Sequence, residues 1–297
     1  MRTVIILFML ASFSAGAQKT DKRLQRQIED LVAGFHGQAG VFVLDLKSGK
    51  TAAIGEDTLF PTASIVKIPI MVGIMSKINN KELDYHQVMV YSDSLFYREG
   101  EDILASFKPG EKISLSKLLM LSLSTSDNTA SLWLQGLAGG GLRINALMDS
   151  FGFPQTRVNS RTIGRENDHA VYGWGETTPK EICEIMDHII GGKIFNTAIC
   201  ERMLRILGRQ YWDEVALSQI PPDIYVADKN GALDECRNEV AYVHGPHPYL
   251  FSIFTKNNID HSWEYNNEAW VLTRKLSRLL WTHFNPKVKF AGEPVSK

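Results

Sequence analysis

Strand-like segments in this chain stand only toward its two ends, with a long block of helical pattern between them. Gly40-Val41-Phe42-Val43-Leu44-Asp45-Leu46 is short, apolar and rich in residues that favour strands, and Lys47-Ser48-Gly49-Lys50 supplies a turn before a second strand at residues 51–54. The pair reads as a hairpin. Residues 225–229, 239–244 and 250–255 carry the same signature near the other end. Distant strands must then pair in one antiparallel sheet, and the residues between them form an insertion. That insertion, about residues 64–217, is mainly helical and is broken at Lys108-Pro109-Gly110, Gly139-Gly140-Gly141 and Gly152-Phe153-Pro154. Leu24, Ile28, Leu31, Val32 and Phe35 recur at helical spacing, and residues 267–284 read as a closing helix. The expected fold class is α/β of the α+β type: a sheet from residues 36–60 and 222–256, flanked by N- and C-terminal helices, with an all-helical lobe facing it across a cleft.

Targeting and charge narrow the setting. Arg2 precedes an apolar run over residues 4–13, and Ala15 and Ala17 fit an A-x-A cleavage site before Gln18. Residues 1–17 are therefore expected to be a secretory signal peptide, which leaves residues 18–297 as one exported domain, secreted or periplasmic, acting as a monomer. The apolar run is shorter than the roughly 20 residues needed to span a bilayer, so no membrane anchor is expected after cleavage. A formal charge of −1 argues against a nucleic-acid surface. The three cysteines, Cys183, Cys200 and Cys236, permit at most one pair. Buried free thiols are the preferred reading, with a Cys183–Cys200 bridge as the alternative.

Three short motifs bear on chemistry. Phe60-Pro61-Thr62-Ala63-Ser64-Ile65-Val66-Lys67 leads into an apolar run over residues 68–78 that reads as a buried helix. Positions i and i+3 share a helical face, so the Ser64 hydroxyl and the Lys67 amine can meet at the helix start. There the Ser64 N–H is also unpaired and free to face developing negative charge. Taken alone, such a pair reads as a helix cap beside a solvated lysine. Ser126-Asp127-Asn128 follows a second apolar helical pattern, and Lys229-Asn230-Gly231 ends a strand-like run. Each of these alone reads as a cap or a turn.

In this order, S-x-x-K, S-D-N and a Lys-Asn-Gly strand resemble the class A β-lactamases and penicillin-binding proteins. Phe60-Pro61, Thr177-Thr178-Pro179 and Arg237-Asn238 extend the resemblance over nearly the whole mature chain. It implies a β-lactamase/transpeptidase-like fold and acyl transfer on Ser64. Lys67 is the nearest base if burial and Lys229 disfavour its ammonium form, and otherwise an electrostatic aid. Ser126 would relay a proton to the leaving nitrogen, and Asn128 would hold both Lys67 and a substrate amide. Gly231 lets a substrate lie along the strand, with the Ala232 N–H joining that of Ser64 in an oxyanion hole. Lys229 and Arg237 would supply charge for a carboxylate, beside Asn230, where the family usually has a hydroxyl residue.

The segment that releases the acyl group departs from the family. An R-x-E-x-x-x-N pattern is absent from Asn159-Ser160-Arg161-Thr162-Ile163-Gly164-Arg165-Glu166-Asn167-Asp168-His169. Glu166, Asp168 and His169 are each candidate water activators, with Glu166 the choice, against an Arg165–Glu166 pair that merely ties the loop. No metal site is expected: His244-Gly245-Pro246-His247 has no carboxylate or Cys at ligand spacing. No cofactor is implied. The expected substrate is a small β-lactam or a cell-wall peptide. The first reading is a class A-like β-lactamase. The alternatives are a D,D-peptidase or esterase with slow β-lactam deacylation, and a non-catalytic binding module.

Overall fold

The computed structural model describes residues 19–95, 97 and 102–296; the expected signal peptide lies outside them. Five strands form the main sheet: β1 (Gln38–Asp45), β2 (Thr51–Ile54), β8 (Val226–Leu233), β9 (Cys236–Val243) and β10 (Tyr249–Lys256). Their order is β2-β1-β10-β9-β8, and β1 pairs antiparallel with β10 from Gln38↔Lys256 to Asp45↔Tyr249. The two ends of the chain thus meet in one sheet, and β8 is left at its edge. Short strands β3 (Phe60–Pro61), β6 (Arg157–Val158) and β7 (Gly175–Thr177) make a small second sheet in the order β3-β7-β6. A further pair, β4 (Val88–Val90) and β5 (Lys112–Ser114), also falls in the stretch expected to be all helical. These strands have two or three residues each, too short for an alternating pattern to register.

Period-2 alternation along the central strands divides the core. Val41, Val43, Ala241, Val243, Phe251 and Ile253 face α1 (Lys22–Val32) and α9 (Glu268–Phe284). Phe42, Val240, Leu250 and Phe254 face the helical block. That block comprises α2 (Lys67–Asn79), α3 (Leu115–Ser124), α4 (Asn128–Leu137), α5 (Gly140–Ser150), α6 (Glu166–Tyr172), α7 (Pro179–Ile190) and α8 (Thr197–Leu207). Helix α2 is buried from Lys67 to Ser76, as its unbroken apolar run requires. Helix α7 starts as its sequence dictates, with Thr178 capping Glu181 N and Pro179 in the first turn. Asp21 likewise caps α1, and Asn267 caps α9 rather than belonging to it. Cys183, Cys200 and Cys236 are free and buried. Among the described residues, no helix is long and apolar enough to cross a membrane.

Candidate active site

The cleft, about 940 Å³, opens where the helical block meets the free edge of β8. Ser64 lines it from a 3₁₀ turn, Ala63–Val66, that runs directly into α2. A 3₁₀ turn closes in about three residues, so Ser64 and Lys67 stack on one face, with Lys67 Nζ 3.1 Å from Ser64 Oγ. Ala63 and Ser126 hold left-handed backbone, at φ 45° and 63°. For residues with a Cβ this conformation persists only where surrounding packing imposes it, commonly at functional sites.

Lys67 is fully buried. That burial, and then the charge of Lys229, hold its ammonium well below the ordinary range, against the opposing pull of Asp102 and Asp127. A neutral amine has two N–H groups and one lone pair. Ser126 O at 2.6 Å and Asn128 Oδ1 at 2.8 Å can only accept, so they take both N–H groups. The lone pair is left to the Ser64 hydroxyl, 3.1 Å away, and the Ser126 hydroxyl, 3.0 Å away. A proton acceptor poised between two serines is the result.

Two carboxylates fix that arrangement. Asp127 caps α4 through Ala130 N at 2.7 Å and also accepts from Leu104 N at 3.0 Å. Asp102 accepts from Asn128 N at 2.8 Å, Thr129 N at 2.7 Å and Thr129 Oγ1 at 2.7 Å. The pair ties the 3₁₀ turn Ile103–Ser106 to the start of α4 and so orients Asn128 toward Lys67. Bracing by Asp127 is readable from its cap position. Sequence reasoning misses Asp102, because it precedes a short 3₁₀ turn without a local signal and its partner, Asn128, lies 26 residues away.

The strand side carries a correction: Lys229-Asn230-Gly231 lies inside β8, which continues to Leu233, rather than at its end. The turn follows at Asp234-Glu235, between β8 and β9. At Gly231, an added Cβ would stand 2.7 Å from Thr62 O and 2.8 Å from Ser64 N, so only glycine lets the strand pass this close to the nucleophile turn. Asn238, its register partner, secures the approach by donating to Pro61 O at 2.7 Å. Asn230, Gly231 and Ala232 all line the cleft. Lys229 is fully buried and donates to Asn230 O at 2.8 Å and Asn230 Oδ1 at 3.1 Å.

Arg237 is not brought to the cleft. It shares the strand face of Ala241 and Val243, which packs toward α9. Its guanidinium lies over the rings of Trp263, at 4.3 Å, and Trp270, at 4.9 Å, and donates to Cys236 O and Ser262 O at 3.0 Å each. Glu166 also stays outside the lining. It opens α6, exposed, with its carboxylate accepting from Gly164 N at 3.1 Å; backbone N–H groups, its own and that of Gly164, hold its carboxyl below the usual range. Asp168 and His169 are not lining residues either. Arg165 turns from Glu166 to Glu176, at 2.6 Å, and Asp168, at 3.3 Å. Among the described residues, no group of three His, Cys, Asp or Glu side chains is placed to hold a metal ion. His244 meets Tyr242 Oη, and His247 meets Asp45.

Comparison with known proteins identifies the family and the fold. The chain is 28% identical over 234 residues to the beta-lactamase SME-1 of Serratia marcescens, covering 76% of this chain and 77% of that protein. Its fold matches a solved mutant of PBP-A, an acyl-enzyme complex with penicillin-G, at a TM-score of 0.79 and 22% identity, over 91% of this chain and 99% of that one. A beta-lactamase from Chitinophaga pinensis gives the same score at 19% identity, over 89% of this chain and all of that one, 100%. The model of the Beta-lactamase enzyme family matches residues 23–284, nearly everything from α1 to the end of α9, and to that family this chain belongs.

Proposed function

We propose that the protein is an exported serine hydrolase that opens β-lactams by forming an acyl-enzyme on Ser64. The observation that carries this reading is the buried Lys67 amine, 3.1 Å from Ser64 Oγ and held by two groups that can only accept, Ser126 O and Asn128 Oδ1. Lys67 takes the Ser64 proton as Oγ bonds to the carbonyl carbon of the cyclic amide. The oxyanion is met by the N–H groups of Ser64 and Ala232. The ring C–N bond then breaks, and the proton passes through Ser126 to the leaving nitrogen. Asn128 and Asn230 hold the substrate's amide groups.

Hydrolysis of the resulting ester needs an oriented water activator. Because Glu166 is exposed and outside the cleft lining, a second reading is favoured for this step: slow deacylation, as in a D,D-peptidase or esterase of the penicillin-binding type. Time-resolved intact mass spectrometry with a penicillin tests both readings. Wild type is expected to gain the mass of the drug, and Ser64→Ala, which lacks the attacking oxygen, to gain none. Rapid loss of the adduct marks a β-lactamase, while a persistent adduct together with cleavage of D-Ala-D-Ala peptides marks a peptidase. A wild type that gains no adduct and turns over no substrate overturns the proposal, and a persistent adduct without peptide cleavage leaves only a binding module.

A further inference from the structure

At the strand edge of the cleft, the charge is the reverse of what a carboxylate subsite requires. A buried carboxylate is held by charge-assisted hydrogen bonds, typically from arginine or lysine. Lys229 spends two of its N–H groups on Asn230, and Arg237 lies on the α9 face against two tryptophans. Among the described residues that line the cleft, Arg274 is the one cation, and it is 1% exposed. Its donors go to the backbone carbonyls of Val295, Glu214 and Tyr265, and its guanidinium lies 3.9 Å from the centre of the Tyr265 ring. It clamps α9 to its neighbours.

Opposite these spent cations stand acids. Glu239 is the register partner of Asn230, lines the cleft and is 2% exposed; Oε1 receives no donor from the protein's N–H or O–H groups. Asp228 sits beside it on the same strand face, and its Oδ1 is equally without a donor. Burial raises both acids, and the charge of Asp228 raises Glu239 further, while the neighbouring Lys229 opposes the rise in each. Glu214 adds a further carboxyl to the same wall. Asp102 and Asp127 already serve backbone N–H groups. A carboxylate seated against Asn230 would meet the acid oxygens of Glu239, with the Asn230 amide and the one remaining Lys229 N–H as its donors, whereas a nitrogen bearing N–H groups would find acceptors.

We infer that this end of the cleft takes a hydrogen-bond-donating nitrogen, an amide or an ammonium group, in place of a substrate carboxylate. The inference rests on the proposed reaction at Ser64, but its test does not require that reaction. Calorimetric binding to Ser64→Ala compares one penicillin nucleus in three forms: the free carboxylate, the carboxamide, and the aminoethyl amide, which carries an ammonium. The two nitrogen forms are expected to bind at least about tenfold tighter than the carboxylate. The amide against the aminoethyl amide tells a neutral ligand from a cationic one. Adding Glu239→Gln, which keeps the shape and removes the acid, is expected to erase most of that tenfold. Tightest binding by the carboxylate, no binding by any form, or an unchanged order in Glu239→Gln would overturn the inference. If the nitrogen forms win while wild type never labels at Ser64, the subsite stands and the acylation reading falls.

Discussion

The start of α2 and the loop over residues 161–174 both border the small sheet of β3, β7 and β6, yet their polar groups are held in opposite ways. At α2, Lys67 is fully buried and its contacts go to Ser64, Ser126 and Asn128, groups that face the cleft. Arg165 in the loop pairs with Asp168 and with Glu176 of β7, while Glu166 turns to the backbone of its own loop. A buried amine with every valence assigned is oriented before substrate arrives, and orientation set in advance is the main source of electrostatic catalysis. A solvated carboxylate with a depressed pKa is neither oriented nor strongly basic. The packing therefore orients the groups that the proposed acyl-enzyme chemistry needs, and leaves the loop as a tether.

The sharpest way to break this contrast is to disturb the packing at α2 while leaving its chemistry intact. Gly231→Ala inserts a Cβ 2.7 Å from Thr62 O and 2.8 Å from Ser64 N. Both contacts are backbone atoms, so the nucleophile turn must shift. Acylation is expected to slow by about 100-fold, because small misplacements of reacting groups cost that much. Circular dichroism should show the fold retained. Acylation at the wild-type rate would mean that the close approach of β8 to Ser64 contributes nothing to the chemistry.

A smaller effect is expected from charge. The Lys67 ammonium is disfavoured first by burial and then by Lys229. Lys229→Met removes the like charge, so Lys67 keeps its proton to higher pH and the acid limb of the acylation rate should move upward. The expected displacement is about one pH unit. A limb that moves downward, or not at all, would assign the limb to another group.

Much of this contrast was legible in the sequence, and the illegible part has a common cause. The sheet could be read because β1, β9 and β10 are apolar runs bounded by turns, and the nucleophile turn because i and i+3 spacing is local. The extension of β8 through Asn230 and Gly231 was hidden, since Asn and Gly signal a turn unless a neighbouring strand overrides them; here β9 pairs as far as Leu233↔Cys236. Arg237 and Glu239 illustrate the same limit. Two residues apart on β9, they share one sheet face, yet only Glu239 lines the cleft, because which position along the strand reaches it is set by distant segments packed against that face. Asp102 and Glu176 gain their roles only from partners far along the chain.

The smallest expected effect discriminates most strictly between the two regions. Glu166 is exposed, contacts Gly164 N and does not line the cleft, so Glu166→Gln removes a charge from solvent and little else. Both formation and decay of a penicillin adduct should change by less than about twofold. A true water-activating carboxylate behaves differently, because its amide isostere still forms the adduct but no longer releases it: decay falls by about 10² to 10⁴ while acylation persists. Following adduct mass over time in the two proteins separates these outcomes directly. Trapping of the adduct in Glu166→Gln alone would show that the loop moves its carboxylate into the cleft once Ser64 is acylated, and the division between an oriented α2 and an idle loop would then hold for the free enzyme only.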